Sequence, residues 1–124
     1  NTYLNAPVIL RETLQTKKRS DLFVAGQLIG VEGYVESAAT GLIAGINCAR
    51  FVNGREPIAF PPETALGALI NYIIRADPKY FQPMNINFGL FPELADKPRG
   101  KQERRRKIAE RSLDHLNKLI KMIN

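Results

Sequence analysis

The sequence predicts an α/β chain, mostly α-helical, with one or two short strands. Three observations carry that expectation. Leu22-Phe23-Val24-Ala25 is a short, continuous apolar run that stops on Gly26, the pattern of a buried strand. Gly26, Gly30 and Gly33 then punctuate a turn in which backbone comes close to something. A long proline-free apolar stretch and a basic stretch of helical periodicity make up much of the remaining chain. With 124 residues, the chain has room for one modest domain.

Residues 1–20, with Pro7 and the polar run Thr16 to Ser20, read as irregular. The stretch from Tyr34 to Val52 reads as a helix that ends near Asn53-Gly54, a good C-terminal signal. It carries no charge between Ala38 and Ala49, so it is expected to be buried on most sides. Ala38, Gly41, Gly45 and Ala49 form a stripe of small residues on one face, which permits close approach of a sheet or another helix. Cys48 is expected to be a small apolar filler within it. Much of the packing this helix demands is expected to lie outside the chain.

A second helix is expected after Pro61-Pro62, with Pro62 in its first turn and Glu63 near the positive end of its dipole. It runs through Leu66, Leu69, Ile70 and Ile73 and stops before Asp77-Pro78. Residues 81–92 hold prolines, a glycine, three phenylalanines and two asparagines, and read as an ordered loop. Asn85 and Asn87 either offer amides to a ligand or order their own loop. The last helix begins near Lys101, and Ala109, Leu113, Leu116, Ile120 and Ile123 mark its packing face. His115 is expected at the surface.

Charge is distributed unevenly. The chain has 18 Lys and Arg against 12 Asp and Glu, a net +6. Residues 1–96 carry 8 basic and 9 acidic side chains, whereas residues 97–124 carry 10 and 3. The excess in the last segment suits a polyanionic partner. Arg99, Lys101, Arg104, Arg105, Arg106, Lys107 and Arg111 are the candidates for contacting nucleic-acid phosphates, and several oppose the helix dipole where they stand. One cysteine and one histidine leave no disulfide framework and no paired-histidine or cysteine-rich metal site, so no metal is expected. No apolar run reaches the length of a membrane helix.

Strand, glycine-rich turn and helix is how α/β proteins present a helix N-terminus to a phosphate or a flavin. The residues that compose this unit also carry a family resemblance. The run Asp-Leu-Phe-Val-Ala-Gly-Gln-Leu-Ile-Gly-Val-Glu-Gly-Tyr-Val-Glu-Ser-Ala-Ala-Thr-Gly-Leu-Ile-Ala-Gly-Ile-Asn at 21–47 resembles the C-terminal part of the folate- and FAD-dependent tRNA (uracil-5-)-methyltransferase family. Thr-Tyr-Leu-Asn-Ala-Pro at 2–7, Phe-Pro-Pro-Glu-Thr-Ala-Leu-Gly-Ala at 60–68 and Phe-Gln-Pro-Met-Asn-Ile-Asn-Phe-Gly at 81–89 extend the likeness over nearly the whole chain. The sister family that modifies the tRNA wobble uridine, GidA, shares the Ala-Gly-Gln and Gly-Tyr pattern. It typically has two threonines where Val31 and Glu32 stand, and lacks the block at 81–89.

The resemblance implies a C-terminal fragment of an FAD/NAD(P)-binding Rossmann-like domain. Residues 1–33 would end the FAD-binding domain, residues 34–96 would complete it, and residues 97–124 would form the basic helix. It implies cytoplasmic transfer of a methylene group from 5,10-methylenetetrahydrofolate to C5 of the T-loop uridine of tRNA. Reduced FAD, recharged by NAD(P)H, would supply the reducing equivalents. Gly26 and Gln27 would lie along the ribityl and pyrophosphate region, and Gly30, Val31, Glu32, Gly33 and Tyr34 at the pyrimidine edge of the flavin. Glu32 either faces away or contacts the folate or the base. The family's catalytic thiols belong upstream, so no catalytic residue is expected here. The isolated chain is expected to be inactive and to self-associate through its uncovered helix. The alternatives are the wobble-uridine enzyme and a stand-alone basic nucleic-acid-binding module.

Overall fold

The computed structural model describes residues 2–123. Four α-helices, α1 (Ala6–Ile9), α2 (Tyr34–Val52), α3 (Ala65–Arg75) and α4 (Lys101–Ile123), are joined by irregular segments with 3-10 turns at Gly26–Ile29 and Phe88–Leu90. The fold is mostly helical, and β pairing among the described residues is reduced to three isolated bridges: Leu10 with Thr16, Gln15 with Phe23, and Val31 with Met84.

The strand expected at Leu22–Ala25 therefore shrinks to one bridge at Phe23, and Leu22 is exposed. A strand acquires its ladder from neighbours, and the described residues supply no sheet for this run to join. Residues 2–25 are not wholly irregular, contrary to the expectation for 1–20: Pro7 falls in the first turn of the short helix α1, and Leu10 and Gln15 form bridges. Ala6, Leu10 and Leu14 are fully buried in the core beside Ile29, Val31, Ile43, Leu69, Ile70, Ile73 and Phe81. Leu14 holds a left-handed backbone (φ 69°), where its amide donates to the Arg11 carbonyl and its own carbonyl accepts from Val24.

Helix α2 has the predicted bounds, but it is not buried all round. Its inner face presents Thr40, Ile43 and Asn47, all buried. The small-residue stripe points away from the core: Ala38, Gly41, Gly45 and Ala49 are exposed, and a Cβ at Gly41 or Gly45 would meet nothing within 4 Å. Cys48 is exposed too, contrary to its expected role as a core filler. Thr40 and Asn47 take the inner positions because α2 packs on irregular chain, whose N–H and C=O groups need partners. Thr40 Oγ1 accepts from the Gly26 amide (3.0 Å) and donates to the Ser37 carbonyl (3.0 Å).

Helix α3 starts later than Pro62 because Thr64 caps it, its hydroxyl accepting from the Gly67 amide at 3.0 Å. Pro61 instead turns the chain and brings its carbonyl hard against Gly67, where any side chain would collide. On α4 the packing face is rotated from the expected one. Ile108 and Leu119 are buried, with Ser112 and His115 half-buried between them; of the expected face, Leu116 and Ile123 are half-buried, whereas Ala109, Leu113 and Ile120 are exposed. The basic half of α4 is held against the preceding loop by its own cations, which selects that face. His115 is thus not a free surface residue: its Nδ1 lies 4.0 Å from Glu63, just before the cap of α3. No helix among the described residues is long and apolar enough to cross a membrane.

Candidate functional site

The glycine-rich turn delivers the chain to the start of α2 through three left-handed backbones: Gly26 (φ 76°), Gly30 (φ 88°) and Gly33 (φ 96°). At Gly30 the close approach is to Phe81, whose ring would lie 2.5 Å from an added Cβ. Phe81 is itself buried, edge-on to Tyr3 at 5.9 Å between centroids. At Gly33 the neighbour is the carboxylate of Glu36, folded back over the turn.

Gln27, Val31, Glu32, Gly33 and Tyr34 all line one open cleft of about 420 Å³, with Tyr3, Ser37 and Pro83 around them. Gly26 and Gly30 lie outside its lining and shape the turn instead: Gly26 is tied to Thr40, and Gly30 packs on Phe81. Tyr34 is 97% exposed at the mouth. Tyr34, Val35 and Glu36 begin α2, so their amides precede its first i→i−4 bond, from Ser37 to Gly33. These N–H groups give the cleft the positive end of a helix dipole.

The loop at 81–92 is registered on the turn by backbone. The Met84 amide donates to the Gly30 carbonyl (2.9 Å), and the Glu32 amide donates to the Met84 carbonyl (2.9 Å). Asn87 orders this loop: its Oδ1 accepts from the Gly89 amide (2.9 Å) and its Nδ2 donates to the Asn85 carbonyl (3.2 Å). Pro83, rather than Asn85 or Asn87, reaches the cleft lining.

The basic residues divide into two groups. Arg106 pairs with Glu103 and Glu110, Lys107 bonds Asp96 at 2.9 Å, and Arg111 donates to the Pro92 and Glu93 carbonyls. The hydrogen bond from Arg106 holds the Glu103 carboxyl below its ordinary range, and that from Lys107 does the same for Asp96. Lys107 and Arg106 are correspondingly raised. Lys107 and Arg111 strap α4 to its preceding loop, whereas the Arg106 pairs lie within α4. Arg105 stacks over the Phe88 ring at 5.0 Å. Arg99, Lys101 and Arg104 are exposed and make no ion pair among the described residues. Arg104 lines a separate cleft of about 240 Å³ with Glu93, Asp96 and Lys97. The described residues hold no group of three or more potential metal ligands.

Sequence reasoning missed Glu36, Thr40 and Phe81. The run Gly33-Tyr34-Val35-Glu36 carries a signal for the first, since an acidic residue three positions after a helix cap often reaches back to backbone. Nothing local marks Phe81 as the partner of Gly30, 51 positions away.

Residues 1–56 match the family described as Glucose inhibited division protein A. Curated relatives named Methylenetetrahydrofolate--tRNA-(uracil-5-)-methyltransferase TrmFO match almost the entire chain. The protein of Listeria innocua is 61% identical over 99% of the chain, that of Desulforudis audaxviator 60% over 99%, and that of Enterococcus faecalis 56% over 100%. The chain spans only 27–28% of the length of these relatives. Among solved structures, GidA from Aquifex aeolicus superposes on 55% of this chain with a TM-score of 0.51 and 43% identity, the match covering 11% of that protein.

Proposed function

We propose that this chain, which belongs to the methylenetetrahydrofolate–tRNA-(uracil-5-)-methyltransferase family and corresponds to its C-terminal part, forms one wall of the flavin site in a Rossmann-like FAD domain. The observation that carries the proposal is the cleft at the start of α2, into which the glycine-rich turn brings Gln27, Val31, Glu32, Gly33 and Tyr34 together.

The residues present fit part of an FAD molecule. Positive-φ glycines let backbone approach a ligand closely, and the first amides of α2 favour negative charge beside them. Gln27 offers an amide toward the ribityl and pyrophosphate portion, and Gly30 to Tyr34 offer backbone at the pyrimidine edge. Gly26 holds this geometry through Thr40. When bound, FAD supplies the reducing equivalents that convert a transferred methylene into a methyl group, with NAD(P)H as the source and 5,10-methylenetetrahydrofolate as the carbon donor. Catalytic thiols are assigned to the part of the family's length that this chain does not span, so the chain by itself does not methylate tRNA. Glu32, Asn85 and Asn87 remain candidates for the folate or base. Asn87 also shapes the loop beside Pro83, through its bonds to the Gly89 amide and the Asn85 carbonyl.

The tRNA substrate is engaged by the unpaired cations Arg99, Lys101 and Arg104, with Arg105 next to them. Phosphate contacts of this kind contribute affinity without reading sequence. Arg106, Lys107 and Arg111 serve the fold of α4. On this reading the domain boundaries fall at 33/34 and 96/97, and the protein works in the cytoplasm. Identities of 54–61% with the methyltransferases, extending through the block at 81–89, favour this assignment over the wobble-uridine enzyme.

The test is made on the full-length protein. A flavin absorption spectrum, with folate-dependent methyl transfer to C5 of a tRNA uridine, is the expected result. A colourless protein, or one that modifies only the wobble uridine, overturns it.

A further inference from the structure

Glu36 stands three residues past the cap of α2, a position from which a glutamate normally bonds back to the cap backbone. Here its carboxylate does something else. Oε2 accepts from the amide of Ile86, in the loop at 81–92, at 3.3 Å. Oε1 lies over Gly33, so close that a side chain at 33 would push the carboxylate out of this position. The same loop is already paired with the turn on both sides of Met84, through the Gly30 carbonyl and the Glu32 amide. Backbone bonds at Met84 set the register, and two residues on the Ile86 amide is taken by the Glu36 carboxylate.

From this geometry we infer that Glu36 is a positioning residue for the cleft: its carboxylate latches the loop at 81–92 onto the start of α2 and so fixes where Pro83 and the two asparagines stand. The inference rests on the flavin reading only in what the cleft holds; the latch itself is a property of this chain. The positive φ of Gly33 is what requires glycine there, and a side chain at 33 would also have to displace the carboxylate from the latch. It also makes the loop wall separable from the helix. Ile86 has one acceptor, and that acceptor is a side chain which substitution can remove without cutting a helical hydrogen bond.

The experiment compares Glu36→Ala and Glu36→Gln in the full-length protein, read by amide hydrogen exchange and by flavin retention on gel filtration. Glutamine keeps a side-chain oxygen acceptor, alanine keeps none. The expected result is exchange about tenfold faster at residues 84–87 in Glu36→Ala, with α2 amides unchanged and Glu36→Gln close to the parent. Unchanged exchange at 84–87 in Glu36→Ala overturns the latch, as does faster exchange spread evenly over α2 and the loop. Should the parent protein carry no flavin, the flavin reading fails while the exchange comparison still decides the role of Glu36.

Discussion

Asn47 closes both backbone groups of Ile58. Its Nδ2 donates to the Ile58 carbonyl at 2.8 Å, and its Oδ1 accepts from the Ile58 amide at 2.8 Å. The same Nδ2 also donates to the Thr13 carbonyl at 2.9 Å. One fully buried side chain on α2 thus does for two irregular segments what a neighbouring strand does inside a sheet.

Replacing Asn47 by alanine strands three part-buried backbone groups at once. At about 1–3 kcal/mol for each unsatisfied group, partly relieved by entering water, Asn47→Ala is expected to destabilise the protein by about 3–5 kcal/mol. Chemical denaturation of the parent and the variant measures it. A loss below about 1 kcal/mol would mean that these segments find other partners.

Gly30 and Phe81 form a second such pair. Gly30→Ala combines a left-handed backbone with a ring that has no room to retreat, since Phe81 is buried against Tyr3. A cost of about 2–4 kcal/mol is expected. Phe81→Leu in the same background should recover the steric share but not the backbone share, and a double-mutant cycle separates the two.

The Asp96–Lys107 contact gives a pH prediction. The folded-state pKa of Asp96 lies below its unfolded value because Lys107 donates to it. What this contact contributes is complete above the unfolded carboxylate range and is lost as pH falls through the depressed folded value. Lys107, being raised, stays charged throughout that window. NMR titration should find the Asp96 midpoint below the ordinary range, and Lys107→Ala should move it upward, with the backbone hydrogen bond to Asp96 retaining part of the shift.

The division of the cations predicts unequal effects on RNA binding. Arg99→Ala, Lys101→Ala and Arg104→Ala should each weaken tRNA binding and lower the slope of log affinity against log salt by about one. Arg106→Ala should leave that slope nearly unchanged, because its charge is already answered by Glu103 and Glu110. Equal slopes for all four variants would remove the basis for separating them.

The uncovered side of α2 predicts self-association of the isolated chain. Tyr34, Val35, Leu42 and Val52 are exposed on it, alongside the small-residue stripe. Sedimentation should show species larger than a monomer, and Leu42→Glu should shift them toward the monomer. A monodisperse monomer for the parent chain would show that this side is tolerated in water.

Much of the helical framework is legible in the sequence. Tyr34 to Val52 has no proline, a glycine-bounded start and an Asn-Gly stop, all local signals, and α2 has those bounds. The end of α3 before Asp77-Pro78 and the start of α4 near Lys101 follow from equally local rules. The candidate site is half legible. Positive φ at Gly26, Gly30 and Gly33 is a local demand, whereas their neighbours Thr40, Phe81 and Glu36 come from other elements or from a side-chain orientation.

The sequence by itself determined the bounds of α2, the end of α3, the start of α4, the glycines at which the backbone turns left-handed, and which family the chain resembles, because each depends on residues adjacent in the chain or on their identity. Tertiary structure alone decided which side of α2 and of α4 faces inward. The apolar pattern of α2 is nearly uniform and offers no preferred face, so the choice passed to Thr40 and Asn47, which have hydrogen bonds to make with irregular backbone. On α4 the apolar spacing favoured Ala109 and Leu113, yet the straps from Lys107 and Arg111 to the preceding loop turned Ile108 and Ser112 inward. A polar group that must find its partner on burial outranks an apolar one that only prefers to leave water.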